Sequence, residues 1–349
     1  VIPKPAPIPH GADLHRAIER FGFAPAGKPW LDLSTGINPW PWPAREHMTH
    51  LPEAAWHELP GPDAQVQAAF DAAYGSGALP VPGSQAAIQA LPRLWRRHLG
   101  RAHVQVLWPS YGEHAARWGL EGHAVHLHAA AALGRTAADV IVIAHPNNPT
   151  GDTFDASRVR ALAAACRLLV IDEAFLDAAD GPSHAQLGLP NVVVLRSLGK
   201  FYGLAGLRVG AVLASPAWRE ALAAELGPWS VGGLALQLAA AALRDTAWRA
   251  TMRQRLQVAA QSLGIVLARH GLAHQGTMLF RTVITARAAI LHEALARQGV
   301  WTRLFDLPAP SGHHGSDFQA LRLGLPPHEA ALQRLDAALA ATVPMLENP

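Results

Sequence analysis

The stretch Ser197-Leu-Gly-Lys200-Phe-Tyr-Gly-Leu-Ala-Gly-Leu-Arg208 decides how the rest of this chain is read. Three of the 29 basic residues are lysines (Lys4, Lys28 and Lys200), so the other 26 are arginines. Arginine serves wherever any cation will do, but a guanidinium stays protonated. A lysine amine can lose its proton and attack a carbonyl. Lys4 and Lys28 stand in proline-flanked N-terminal segments and read as solvated surface residues. Lys200 follows the apolar run Val192–Leu195 and reads as a nucleophilic amine. A phosphate-binding P-loop is excluded, because Val194 occupies the first glycine position and Phe201 the Ser/Thr position.

Outward from this stretch, short β-branched runs alternate with Ala/Leu helical patterns. Strands are predicted at His103–Trp108, His123–His128, Val140–Ala144, Leu168–Ile171, Val192–Leu195 and Leu207–Leu213. Helices are predicted at Ser84–Leu99, Glu113–Leu120, Ala156–Cys166 and Pro216–Leu226. Such alternation with near-continuous apolar strands predicts an α/β fold with a mostly parallel sheet covered on both faces. The Pro/Gly-rich segment 25–62 reads as an arm and linker. Beyond Leu234 a long helix (Leu234–His270), a strand (Met278–Ile284), a helix (Ala288–Gln298) and a last strand and helix predict a smaller α+β unit. The predicted division is 1–45 for the arm and part of the small domain, 46–233 for the large domain, and 234–349 for the small C-terminal domain.

Length and composition agree with this reading. At 349 residues, 50% hydrophobic and 16% charged, the chain can bury a sizeable core, which excludes intrinsic disorder. A net charge of +3 is no polyanion-binding signature, so no nucleic-acid partner is expected. No apolar run of membrane-spanning length appears, and Val1–Pro9 has no apolar core of a signal peptide. The single cysteine, Cys166, cannot form an internal disulfide. Together these predict a cytoplasmic protein.

In open α/β sheets ligands bind beyond the carboxyl ends of the strands. Tyr111 follows the first strand, Asn147-Asn148-Pro-Thr-Gly151 the third, Asp172 the fourth, and Ser197 with Lys200 the fifth. Gly83-Ser84-Gln85 opens a helix. Singly these are an ordinary turn, a helix cap and a strand-end carboxylate. Together they match the needs of pyridoxal 5'-phosphate. That cofactor needs a lysine, a carboxylate for its ring nitrogen, an aromatic face, a donor to its phenolic oxygen and an anion cradle at a helix N-terminus.

On Asn147-Asn148-Pro-Thr-Gly151, Asp172-Glu-Ala and Ser197-Leu-Gly-Lys200 with Arg208 eight residues on, the chain resembles the class I/II aminotransferases of fold type I. The resemblance implies that Lys200 is the Schiff-base lysine and Asp172 the partner of the pyridine nitrogen. It further implies that Asn148 donates to the phenolic oxygen and Tyr111 stacks on the ring, while Ser84, Gln85, Ser197 and Arg208 bind the phosphate. Two positions depart from the family pattern. Phe175 replaces a tyrosine that also donates to the phenolic oxygen. Leu59 stands where relatives carry a tyrosine that reaches the neighbouring subunit.

Within that superfamily, His10-Gly11-Ala-Asp13, Asp32-Leu-Ser-Thr-Gly-Ile-Asn38-Pro39 and Asp172-Glu-Ala-Phe175-Leu-Asp177 resemble the L-threonine-O-3-phosphate decarboxylases of cobalamin biosynthesis. This likeness implies a small phosphorylated amino-acid substrate and a homodimer. Arg322 would hold the substrate carboxylate; Arg303 and His10, with Gly11 and Asn38, would receive the phosphorylated end. Histidinol-phosphate aminotransferase is the alternative, since which bond at Cα breaks depends on an angle between anion pockets that residues alone do not state.

A metal centre is not expected. His126 with His128 and the pair His313-His314 have no carboxylate or thiolate partner at ligand spacing. A regulator without turnover is also disfavoured, because Lys200, Asp172 and Arg208 occur together.

Overall fold

A computed structural model describes residues 10–22, 29–179, 181–310 and 316–343. Lys4, Lys28 and the pair His313-His314 lie outside the described residues. Two compact units divide the chain. The large one comprises Ile37–Gln257 with Thr277–Leu279; the small one comprises the chain before Ile37, Val258–Gly276 and the chain from Phe280 onward. The division expected from sequence lies at 45/46 and 233/234, whereas the structure places the main boundaries at 36/37 and 257/258. Helix Gly233–Arg244 packs against helix Ala64–Tyr74 within the large unit.

The large unit is built on a seven-stranded sheet. Its order is Leu79–Val81, Gly210–Leu213, Val192–Ser197, Leu168–Asp172, Val140–Ala144, His103–Leu107 and Ala124–His128. The five strands from Val192–Ser197 outward to Ala124–His128 run parallel, and the other two are joined antiparallel. Every residue of the three central strands is buried, which is why their sequences are continuous rather than alternating.

Alternation still decides what each strand end presents. Leu168 and Val170, with Val193 and Leu195, pack into the core shared with Ile88, Leu91 and Trp95 of helix Ser84–Leu99. With a period of two, Asp172 and Ser197 fall on that same face. Glu173 and Arg196 fall on the other, where their side chains pair at 2.7 Å.

Three boundaries differ from expectation for local reasons. The strand predicted from Leu207 begins only at Gly210, because Arg208 takes a left-handed backbone (φ 55°) after the turn Ala205–Leu207. The helix predicted over 234–270 is two helices, Gly233–Arg244 and Thr246–Arg269. Asp245 breaks it by accepting from the Trp248 amide at 3.0 Å and from the Trp42 indole at 3.0 Å. Segment 25–62, where described, contains strand Leu31–Asp32 and short helical turns at Ala44–His47 and Ala54–His57.

The small unit is α+β. Its sheet has the order Arg303–Leu307, Phe318–Gly324, Phe280–Ile284, Gln275–Thr277, with Phe318–Gly324 antiparallel to both neighbours. Helix Ala288–Arg297 packs on it. Leu31–Asp32 pairs in parallel with Val300–Trp301, and helix Leu14–Phe21 closes a small core of Ala17, Ala296 and Trp301. Among the described residues no helix is long and apolar enough to cross a membrane.

Candidate active site

Two helix starts and three strand ends build the site of the large unit. Helix Ala64–Tyr74 is capped by the Asp63 carboxylate, which accepts from Gln65 and Val66 amides. Helix Ser84–Leu99 is opened differently. Its N-cap is Gly83 (φ 75°), with no side-chain cap. The Ala86 amide donates to the Gly83 carbonyl at 3.1 Å, and no side chain caps the start of this 16-residue helix, a place suited to an anion.

Arg208 comes to the same place. A Cβ added at Gly83 would lie 2.8 Å from an Arg208 guanidinium nitrogen, and one at Gly210 would lie 2.8 Å from the Ser84 amide nitrogen. Glycine at both positions lets the guanidinium and the helix start approach one another. Ser197, at the end of its strand, has its hydroxyl accepting from the Gly199 amide at 3.2 Å. A guanidinium, a helix N-terminus and a hydroxyl make an anion cradle of a size and charge suited to a phosphate.

Asp172 is 6% exposed at its strand end. One carboxylate oxygen accepts from the Ala174 amide at 3.0 Å; the other lies 3.0 Å from His114 Nε2. An ionised carboxylate only accepts, so His114 carries its proton on Nε2 and donates. A buried carboxylate oriented this way can face a heteroaromatic nitrogen and accept its N–H.

Tyr111 stands at the start of helix Gly112–Leu120, its ring edge-on to His114 with centroids 6.0 Å apart. Its hydroxyl donates to Gln85 Oε1 at 3.2 Å. Burial, then the charges of Glu113 and Asp172, push this phenol far above its ordinary range. The Gln85 side chain is thus turned to Tyr111 and to Glu113, with Nε2 donating to Glu113 at 2.7 Å. A contact from Gln85 to a phosphate is left to its main-chain amide.

The two asparagines after Val140–Ala144 divide their work. Asn147 is buried and ties the loop through Pro109, Ser110 and Thr150 at 2.8–2.9 Å. Asn148 is half-buried. Lys200 opens the loop after Ser197 with its Nζ 5.5 Å from the centroid of the Phe175 ring. Phe175 therefore offers a π face to the amine and has no hydroxyl to donate.

Asn38 braces this loop. Its amide donates to the Phe201 carbonyl at 2.8 Å, and its backbone N–H donates to the Lys200 carbonyl at 3.0 Å. Its side-chain oxygen accepts from the Trp40 amide at 2.9 Å, so the structure gives it a bracing part in place of an open substrate-facing amide.

The small unit carries a separate cationic pair. Arg303 and Arg322 are direct cross-strand partners. Arg322 donates to the Ser34 carbonyl at 2.7 Å and Arg303 to the His10 carbonyl at 3.4 Å. Burial, and then Arg303, press the Arg322 guanidinium down to about 9. Two like charges side by side are relieved by an anion. Phe305 lies under both, with its centroid 5.0 Å from the Arg303 and 5.7 Å from the Arg322 guanidinium carbon. A Cβ on Gly11 would lie 2.5 Å from the Ser34 carbonyl, so only glycine lets the His10 segment pass there.

Sequence reasoning missed His114, Glu113 and Phe305. The signal for the first was present: His114 lies three residues beyond Tyr111 on the same helix, and i,i+3 side chains share a face. Among the described residues no group of three or more His, Cys, Asp or Glu side chains is arranged to hold a metal.

The amine, the carboxylate, the aromatic face and the anion cradle in one unit fit a phosphorylated pyridine aldehyde, which is what pyridoxal 5'-phosphate is. Known proteins agree with this site. The chain is 43% identical over 341 residues to a threonine-phosphate decarboxylase of Pseudomonas aeruginosa, spanning 95% of this chain and 97% of that protein. It is 40% identical over 350 residues to one of a Sinorhizobium species, spanning 96% and 98%. Its fold is similar to the crystal structure of histidinol-phosphate aminotransferase from Sinorhizobium meliloti in complex with pyridoxal-5'-phosphate. The TM-score is 0.76 at 22% identity, covering 98% of this chain and 96% of that one. Residues 71–308, the stretch that holds the anion cradle, Asp172 and Lys200, match aminotransferase class I and II, and the chain belongs to that family.

Proposed function

We propose that this protein is a pyridoxal-phosphate-dependent lyase that decarboxylates L-threonine O-3-phosphate to (R)-1-aminopropan-2-yl phosphate and CO2 in cobalamin biosynthesis. One observation carries the reading. Identity of 40–43% to threonine-phosphate decarboxylases runs through at least 95% of the chain, so it takes in both the cofactor site and the cationic pair of the small unit.

The bound cofactor supplies an electron sink for the pair released when the Cα–carboxylate bond breaks. Lys200 would hold that group through Nζ, and its amine is the one that would move a proton at Cα. Asp172, fixed by His114, would face the ring nitrogen and hold a proton there. Tyr111 is a platform for the ring and not an acid, since its proton is committed to Gln85. Asn148 would donate to the phenolic oxygen. Arg208, Ser197, Ser84 and the Gln85 amide hold the cofactor phosphate.

Arg322 takes the substrate carboxylate, and Arg303 with His10 takes the substrate phosphate. Bidentate guanidinium pairing suits either anion. A carboxylate held by one buried arginine is oriented without being smothered by donors, so its loss as CO2 is not opposed by ground-state binding. Gly11 and Asn38 serve by letting the arm pass and by bracing the Lys200 loop. The working form is a cytoplasmic homodimer acting on a small phosphorylated amino acid, with neither nucleic acid nor membrane as partner.

The test is one pair of assays on purified protein loaded with pyridoxal phosphate. Threonine phosphate without any keto acid releases CO2 if the proposal holds. Glutamate formed from histidinol phosphate and 2-oxoglutarate, with no CO2 from threonine phosphate, overturns it in favour of transamination, because a transaminase needs an amino acceptor to turn over.

A further inference from the structure

We propose that Glu113 is a positioning residue for the cofactor ring, acting through Gln85 on Tyr111; the inference rests on the pyridoxal-phosphate reading of the site. Glu113 lies in the first turn of helix Gly112–Leu120 and is 3% exposed. Its Oε2 accepts from Gln85 Nε2 at 2.7 Å and from Arg117 Nε, one turn on, at 2.7 Å. Gln85 Oε1 then accepts from the Tyr111 hydroxyl at 3.2 Å. Four side chains from two helices form one line: Arg117, Glu113, Gln85, Tyr111.

The direction of that line follows from donor chemistry. A carboxylate only accepts, so Glu113 requires the nitrogen end of the Gln85 amide to face it. The oxygen end is thereby left for Tyr111, and the phenol must donate. Arg117, which has donors only, pairs with the same carboxylate oxygen and holds it in place. A neutral or absent side chain at 113 would free the Gln85 amide to turn. Tyr111 would lose the acceptor that fixes its hydroxyl.

One helix start thus carries the aromatic platform, its lock and the partner of the buried carboxylate, as Tyr111, Glu113 and His114. The division of proton work follows as well. With the Tyr111 proton committed to Gln85, the phenol is not the acid that protonates Cα, and that duty falls to Lys200.

The decisive experiment is a double-mutant cycle on cofactor affinity, read as quenching of tryptophan fluorescence when pyridoxal phosphate is titrated into apoprotein. Glu113→Ala and Tyr111→Phe should each raise the dissociation constant about tenfold, the size of one lost buried hydrogen bond. The double variant should match either single one, because both break the same line. Effects that multiply to about a hundredfold, or a Glu113→Ala protein of wild-type affinity, overturn the proposal.

If Glu113→Ala does not fold, the same cycle is run with Glu113→Gln. That side chain keeps the volume and still reaches Arg117, but it no longer forces one orientation on Gln85. A crystal structure of apo Glu113→Ala or Glu113→Gln provides an arm that needs no cofactor. The Tyr111 ring should leave its wild-type position, and an unmoved ring overturns the proposal. If wild-type protein takes up no pyridoxal phosphate, the functional reading fails, while the crystallographic arm still judges the relay.

Discussion

His114 Nε2 donates to the Asp172 carboxylate at 3.0 Å in a place closed to solvent, and the two residues are 58 apart in the chain. The pair fixes the strand-end carboxylate in place and gives one of its buried oxygens a donor. Asp172→Asn should therefore lower kcat by roughly a hundredfold or more, while the cofactor dissociation constant moves only a few-fold. His114→Phe should give a smaller loss of the same kind. Near-wild-type turnover by holo Asp172→Asn would remove the role proposed for it.

Lys200 should be the residue that borohydride fixes to the cofactor. Peptide mapping after reduction should find the label on the segment containing Lys200, and Lys200→Ala should show neither label nor turnover. A label on Lys4 or Lys28 with Lys200 untouched would contradict the assignment.

Arg322 is a cation whose charged form is disfavoured in the fold by burial and by Arg303. Its charge costs stability at neutral pH, and an anion bound there offsets that cost. Phosphate or threonine phosphate should accordingly raise the melting temperature of apoprotein, and Arg322→Ala should abolish the part due to this site. Arg303→Ala should raise KM for threonine phosphate about tenfold or more without altering the absorbance of the bound cofactor, since its target is the substrate's phosphate.

Two buried histidines set an acid limit. Burial, with His184 and Arg196 nearby, presses His145 down to about 4, and burial with Arg20 does the same to His292. Both rings are held neutral in the fold, His145 accepting from the Phe154 amide and His292 paired with Thr302. The unfolded chain binds these protons from about pH 6.5 downward, and the folded one does not until about pH 4. Their contribution is whole above the upper value and is lost progressively as pH falls toward the lower one. The melting temperature should drop across that window, and His292→Asn should flatten the drop. A melting temperature constant from pH 7 to 4.5 would be the contrary result.

Dimerisation is open to light scattering. Leu59 is 67% exposed and Trp56 and Trp229 are also largely exposed in the large unit, an apolar display that a second copy would cover. A dimer at assay concentration is expected, and an active monomer would count against the proposed assembly.

Much of this protein is written in local pattern. The fully buried strands Val140–Ala144, Leu168–Asp172 and Val192–Ser197 are legible as β-branched runs, because a strand covered on both faces has no polar position to spare. The rule that ligands gather at strand ends then picks out Asn148, Asp172, Ser197 and Lys200 without any coordinates. A lysine in a chain that otherwise uses arginine almost throughout marks itself, since the amine can lose its proton and the guanidinium stays protonated.

What no local pattern carries is the choice of partner. Gln85 reads as a helix-start donor, yet its side chain turns to Glu113 and Tyr111 because a buried carboxylate accepts and never donates. Asn38 reads as a substrate-binding residue, yet its amide donates to a carbonyl 163 positions away. Arg208 reads as part of a strand, and its left-handed backbone appears only when its guanidinium must reach the glycine at the start of a distant helix. Periodicity is a property of neighbours along the chain, whereas hydrogen-bond satisfaction is a property of neighbours in space. The first sets the sheet and the edge where chemistry sits, and the second, settled only on folding, sets which side chains are free to do it.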